Sequence, residues 1–322
     1  MQPISKFMAA SRLALLAHLL CASASIAVTA GNPSGNDLTI AADGNTSAVI
    51  VVSPGAAPQE KLAASDLAQY IGLMSGAKPR IANTRQAIAD VLSSTKPVLI
   101  VGEQALKMQP ELRAELGAVL KKKPHLRSDG IALKRVANRV YLAGNNPLSH
   151  FFAVAELLRR WGCRWYMPTE FGECIPQERE LRVGSLDYAY SSPFEIRTYW
   201  ISWLGDNTGR REFQHRNMMH SDRGGMPATG HALGRYTKGL GKNAFNFPIT
   251  DPETAQHVAQ QVEKPYTEGG AFSLGMEDGS YDSAYPNDQQ LMKLQWDKYF
   301  MRWSVTDPML ELYNNVARIL QN

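Results

Sequence analysis

The chain has 322 residues, 44% hydrophobic and 20% charged, a globular composition that allows about two domains and excludes a disordered tail, a fibre and a small disulfide scaffold. Its formal charge is +4, but Lys6 and Arg12 fall in a leader without acidic residues, which leaves +2 for the remainder. That is too little for a polyanion-binding surface, so nucleic acid is not an expected partner.

Met1 to Arg12 form a basic segment, Leu13 to Leu20 a mostly apolar one, and Ala24, Ala27 and Ala30 offer small residues for cleavage. Residues 1–30 therefore read as a secretory signal peptide, and export to the periplasm or the exterior is expected. Leu20, before Cys21, is larger than a lipid-attachment signal requires. No later apolar run approaches the roughly 18 residues of a spanning helix. Protein partners are not indicated.

In chain order, Leu38–Ala42 and Ala48–Val52 are short β-like runs, and Pro58 opens a helical pattern (Leu62, Leu67, Tyr70, Ile71, Met74) that Gly76 ends. Val98–Val101 is a continuous apolar strand. Pro110 starts an amphipathic helix whose Leu112, Leu116, Val119 and Leu120 form one stripe and which runs into Lys121, Lys122 and Lys123, where cations suit the dipole. Ile131 and Leu133, a turn at Ala137 and Asn138, then Val140 and Leu142 have the alternation of a hairpin. Leu148–Trp161 is helical and stops at Gly162. These elements give an α+β domain with a mixed sheet over residues 37–187, and no nucleotide-binding glycine motif follows any strand.

Cys163 and Cys174 remain after the leader. They flank the strand-like Arg164–Met167 and either pair in an oxidising compartment or stand as separate thiols. Zinc-site spacings are absent, and neither metal nor cofactor is expected.

Ser128-Asp129-Gly130-Ile131, Asn138-Arg139-Val140-Tyr141-Leu142-Ala143-Gly144 and above all Gly162-Cys163-Arg164-Trp165-Tyr166-Met167-Pro168-Thr169-Glu170-Phe171-Gly172-Glu173 resemble the N-terminal accessory domain of family 67 alpha-glucuronidases. The nearest resemblance is to bacterial secreted proteins that join this domain to a glycosidase-like barrel domain of unassigned function. It covers most of the chain after the leader, with Arg216-Asn217 and Ser273-Leu274-Gly275-Met276-Glu277-Asp278-Gly279 matching the barrel part. The resemblance implies a non-catalytic first domain, an active site in the barrel, and carbohydrate, in particular uronic acid, substrates.

The second half is consistent with that outline. Phe194–Ile201, Ala244–Phe247 and Ala271–Met276 are strand-like; Arg211–Met219, Thr254–Glu263, Gln289–Phe300 and Pro308–Leu320 are helical. Alternating strand and helix argues for βαβ units closing as a barrel, yet Ala189 to Asn322 is 134 residues against a typical barrel of about 250. The expected fold is thus α/β: a mixed-sheet α+β accessory domain followed by a partial (β/α) barrel over residues 189–322.

Strand alternation places the chemistry. Phe272, Leu274 and Met276 share one face, so Ser273, Gly275 and Glu277 share the other, and Glu277 is expected to project inward at the barrel mouth. Asn246 projects likewise from its strand, as do Arg197 and Tyr199 from theirs, with Asp278 on the loop just beyond Glu277. Glycoside hydrolysis needs two carboxyl groups across the scissile bond. Glu277 is the candidate general acid and Asp278 a poorly oriented partner, since adjacent strand residues face opposite ways. His231 ends a glycine-rich segment that either closes over a ligand or is a surface loop. Arg216 and Asn217 either contact substrate or brace the rim, and Trp200 and Trp203 either stack on sugars or fill the core. Hydrolysis of a glycosidic bond in a poly- or oligosaccharide is the leading expectation. The alternative is a non-catalytic carbohydrate-binding or scaffold protein, or an inactive fragment of a larger glycosidase.

Overall fold

The computed structural model describes residues 28–199, 209–221, 230–270, 272–299 and 301–321. Two compact units divide the chain, Met1–Gly224 and Gly225–Asn322.

The first unit contains β1 (Val28–Ala30), β2 (Leu38–Ala42), β3 (Val49–Val52), α1 (Pro58–Ser75), β4 (Arg80–Ala82), α2 (Arg85–Leu92), β5 (Val98–Val101), α3 (Glu103–Met108), α4 (Glu111–Val119), β6 (Gly130–Val136), β7 (Arg139–Gly144), α5 (Pro147–Arg160), β8 (Arg164–Trp165), β9 (Glu173–Cys174), β10 (Glu180–Val183), β11 (Asp187–Ser191) and α6 (Arg210–Arg216). Its main sheet has the order β11-β6-β7-β5-β3-β4, with β4, β3, β5 and β7 mutually parallel, β6 antiparallel to β7, and β11 antiparallel to β6. The alternation is strict. Ile50, Val52, Leu99, Val101, Val140 and Leu142 face a core built with α1 and α5, whereas Val49, Val51, Val98, Ile100, Tyr141 and Ala143 face one built with α2, α3 and α4. Coverage on both faces is why β3 and β5 read as unbroken apolar runs. A second sheet, β1-β10-β2, closes over the α1 and α5 side.

Local chemistry sets the helix ends. Gly76 takes a left-handed conformation, φ 76°, after α1, and the Asn146 side chain caps α5 by accepting the Ser149 N–H at 2.9 Å, with Pro147 in the first turn. Cys163 and Cys174 are both free thiols. Burial pushes the Cys163 thiol up to about 12, and its sulfur lies 3.5 Å from Met74 Sδ.

The second unit contains α7 (Leu233–Tyr236), α8 (Pro252–Thr267), α9 (Pro286–Met292), a hairpin of β12 (Trp296–Asp297) and β13 (Arg302–Trp303), and α10 (Thr306–Gln321). Val258, Ala259 and Val262 of α8 and Met309, Leu312 and Val316 of α10 enclose Phe247, Ile249 and Tyr281. Asp288, fully buried at the start of α9, accepts the backbone N–H groups of Ile249 (2.7 Å) and Thr250 (2.8 Å) and the hydroxyls of Thr250 and Ser283. It thereby joins the 244–250 segment to α9.

The architecture is mixed α/β, and among the described residues no closed barrel forms. The 272–276 segment, expected as a strand, is extended with one isolated parallel bridge, Gly275 to His231. Ala244–Phe247 is instead a turn, closed by the Asn243–Asn246 bridge and the Asn246 N–H donating to the Asn243 carbonyl at 3.2 Å, with a parallel bridge from Asn246 to Asp282, so the expectation that Asn246 projects from a strand is corrected. Residues 194–199 are not a strand, so the expectation that Arg197 and Tyr199 project from one is corrected. The Arg197 carbonyl instead accepts the His220 N–H at 2.6 Å, and the Arg197 N–H is given to His220 Nδ1 at 3.2 Å, so local pairing uses the groups a ladder would need. The expected helix over Gln289–Phe300 stops at Met292, where the chain turns into β12. The apolar spacing there serves a Trp296–Trp303 contact with ring centroids 4.9 Å apart. Trp200 and Trp203 lie outside the described residues. Among the described residues no helix is long and apolar enough to cross a membrane.

Candidate functional site

Glu277 is half-buried after an extended segment whose Phe272, Leu274 and Met276 pack on the core of the second unit. Ser273, Gly275 and Glu277 point the other way, each bonded to the 230–234 segment: Ser273 Oγ donates to the Gly230 carbonyl, the Gly275 carbonyl accepts the N–H of Ala232 and of Leu233, and Glu277 accepts from Gly234. The alternation follows from the two-residue period of extended chain, ladder or not.

Both carboxylate oxygens of Glu277 are held. The Gly234 N–H donates to Oε1 at 2.8 Å, and the Tyr281 hydroxyl donates to Oε2 at 2.8 Å while accepting the Glu277 N–H at 2.9 Å. Gly234 has to lack a side chain here, because a Cβ would stand 2.8 Å from both Glu277 Oε1 and the Ala244 Cβ. Tyr281 is buried, with edge contacts to Phe245 and Phe247. Burial, then the hydrogen bond to Glu277, push its phenol above the ordinary range, so it stays a proton donor. From α10, Tyr313 donates to the Leu274 carbonyl at 2.9 Å and anchors the segment.

His231 and Asp278 flank Glu277. His231 Nδ1 donates to the Met276 carbonyl at 2.6 Å, and Nε2 lies 3.2 Å from Asp278 Oδ2. An imidazole donating from both nitrogens is a cation, and the Met276 carbonyl, then the Asp278 charge, raise the His231 pKa. Asn246 joins the same unit, with its backbone bridged to Asp282.

The other residues singled out from the sequence belong to the first unit, and three are engaged there. Arg197 donates to Asp129 Oδ2 at 3.1 Å and to the Met218 carbonyl at 2.7 Å. Asp129 is also bound by His220 Nε2 at 2.7 Å and Asn146 Nδ2 at 2.9 Å. Arg216 grips Asp66 through Nε at 2.8 Å and Glu173 through Nη1 at 2.9 Å; Glu173 accepts the Tyr70 hydroxyl at 2.7 Å, which in turn accepts Trp165 Nε1 at 2.8 Å. Asn217 donates to the carbonyls of Trp165 and Phe213. Tyr199 is 56% exposed. The site thus collects Glu277, Asp278 and His231; Asn246 is bridged to Asn243 and Asp282 instead. Sequence reasoning missed Tyr281 and Gly234. A tyrosine four residues after the glutamate, across the Gly279-Ser280 turn, was the available signal.

A scan of protein-family models and a search of curated proteins found no match. Among solved structures, the chain is similar to a family GH115 4-O-methyl-alpha-glucuronidase, BtGH115A, with specificity for decorated arabinogalactans, at 14% identity and TM-score 0.41, covering 88% of this chain and 41% of that one. It is also similar to CpGH84D at 12% identity and TM-score 0.32, covering 89% of this chain and 41% of that one. The chain therefore spans less than half the length of either of these distant glycoside hydrolase neighbours.

Proposed function

We propose that the chain is a carbohydrate-active protein of the glycoside hydrolase class, exported and acting on poly- or oligosaccharide, with Glu277 as its reacting carboxyl group. The observation that carries this reading is the setting of Glu277: half-buried and fixed at both oxygens by Gly234 and Tyr281. Fixed geometry is what a reacting carboxyl group requires, because its contribution depends on placement against the scissile bond. The sequence resemblance to family 67 alpha-glucuronidases supports the substrate class and adds a uronic acid as the sugar.

In this reading Glu277 is the general acid. It carries its proton into the reaction on one oxygen, with the neutral Tyr281 phenol beside it. As held in the structure, with both oxygens accepting, it is the conjugate base that the second half of a retaining cycle needs. Asp278 is the partner carboxylate in this proposal, tethered by His231. A second reading, carbohydrate binding without catalysis, is favoured by one observation: the Asp278 side chain is 92% exposed, a poor setting for a nucleophile or base.

Turnover of aryl glycosides and of glucuronic-acid-capped xylo-oligosaccharides by the whole chain, with and without Glu277→Gln, separates the two. The expected loss in kcat is roughly 10² to 10⁴-fold with sugar affinity nearly unchanged. Equal turnover returns Glu277 to a structural role; absence of turnover in the parent chain, with sugar binding retained, establishes the second reading.

A further inference from the structure

The most distinctive sequence motif, Gly162–Glu173, takes no part in the Glu277 site. It folds as the β8–β9 hairpin, with Arg164 opposite Cys174 and Trp165 opposite Glu173. Its tip is tightly wound: Tyr166 N–H donates to the Gly172 carbonyl at 2.8 Å and Gly172 N–H to the Thr169 carbonyl at 3.1 Å. A Cβ on Gly172 would meet Met167 backbone at 2.3 Å. Thr169 is held at φ 71°, ψ 172°, a region that β-branched residues avoid and that is kept where the surroundings impose it. The base is rigid too, since Trp165 is fixed through Tyr70 and Glu173 to the half-buried Arg216.

Two adjoining cavities open beside this hairpin and share Trp165, Met167 and Phe213 as walls. One, of about 380 Å³, is lined by Tyr166 and Tyr199, which are 70% and 56% exposed. The other, of about 590 Å³, carries Gln69, Thr169, Glu170 and Glu212. Each has the size of a small-ligand site. We propose that this cleft binds a neutral sugar chain, one pyranose ring against Tyr166 and Tyr199 and the next among the polar groups. The C–H face of a pyranose is apolar and weakly positive, and it complements the negative face of an exposed tyrosine ring. Carboxylates and an amide beyond the rings suit sugar hydroxyls, which need acceptors more than charge.

The charge of the cleft selects among sugars. Arg216 at its wall is committed to Asp66 and Glu173 and Arg211 to Glu212, while Glu170 adds a further negative charge, so a uronic acid carboxylate is repelled. This site lies in the first unit and goes beyond the catalytic reading. Loss of Glu277 chemistry leaves it standing, and its own loss leaves that chemistry standing.

Calorimetric titration of the whole chain, carrying Glu277→Gln to prevent turnover, tests it with cellohexaose, xylohexaose and mannohexaose as neutral probes and trigalacturonate as the anionic one. At least one neutral probe is expected to bind, with affinity cut tenfold or more by Tyr166→Ala and by Tyr199→Ala and held within about twofold by Tyr166→Phe, which keeps the ring. The two alanine substitutions are expected to leave any trigalacturonate binding within about twofold, because an anionic chain held at the Glu277 site is not held by these rings. Binding by none of the neutral probes, equal binding of them by the alanine variants, or a tenfold loss of trigalacturonate binding in those variants overturns the proposal.

Discussion

Tyr281 holds Glu277 twice: its hydroxyl donates to Oε2 at 2.8 Å and accepts the Glu277 backbone N–H at 2.9 Å. One phenol thus fixes both the carboxylate and the backbone that carries it. Tyr281→Phe removes both bonds without emptying the pocket between Phe245 and Phe247. A stability loss of about 1 kcal/mol per bond is expected, with kcat falling roughly tenfold if the orientation of Glu277 matters to the transition state by about 1.4 kcal/mol. Tm and kcat measured on the same preparation check this. A fall in Tm with kcat unchanged makes the pair a fold contact only.

In the first unit, Asp129 is the polar centre that joins Arg197 and His220. Burial acts to raise its pKa, but the hydrogen bonds from His220 and Asn146 and the charge of Arg197 overcome that and hold it well below the ordinary carboxylate range. A depressed carboxylate contributes stability that is fully present above its unfolded value of 3.8 and is lost as pH falls through the folded one. Asp129→Asn is therefore expected to cost about 3 kcal/mol near neutrality, because it leaves Arg197 half-buried without its counter-charge. The gap between variant and parent is expected to close in strong acid. Urea unfolding at pH 7 and at pH 3 and below measures both; a gap that does not change with pH removes the carboxylate charge from the account.

How far the sequence could be read follows from what each segment packs against. The unbroken apolar runs Val49–Val52 and Val98–Val101 are legible because both faces are covered, and the Pro58 to Gly76 helix because its ends carry their own signals. Phe194–Tyr199 looks like a strand by composition, yet its partners are His220 and Asp129, 23 and 68 residues away from Arg197, and nothing in local periodicity reports such pairings. Arg216 shows the same limit: its charge left substrate contact and a bracing role equally open, and its ligands Asp66 and Glu173 come from α1 and β9. By contrast, the facing of Glu277 was accessible, because the two-residue period of extended backbone does not require a neighbouring strand.

His231 ties the 230–234 segment to Asp278 most strongly when it is protonated, since only the imidazolium donates to Met276 and Asp278 together. Its pKa is raised from the ordinary 6.5, so this tether is fully present below 6.5 and is lost as pH rises through the folded value. In a proton NMR titration, the His231 C2–H resonance is expected to show a midpoint above 6.5. Asp278→Asn is expected to lower that midpoint without abolishing the shift, because the Met276 carbonyl, the larger influence, remains. A midpoint at or below 6.5 in the parent chain rules out the paired cation.

The structure also separates the cleavage sites open to the proposed leader. β1 lies parallel to β10, with Val28 beside Leu181, Thr29 beside Arg182 and Ala30 beside Val183, and Ala30 is fully buried. Cleavage after Ala30 would delete this strand and uncover the edge of β10, whereas cleavage after Ala27 leaves it whole with Ser25 and Ala27 as the small residues the peptidase reads. The exported protein is therefore expected to begin at Val28. Intact-mass measurement of secreted material decides between the sites, and retention of Met1 overturns export altogether. A chain beginning at Gly31 is expected to be less stable than one beginning at Val28 by about 1 kcal/mol for each ladder bond removed. Equal melting temperatures for the two would show that β1 is not needed by the mature fold.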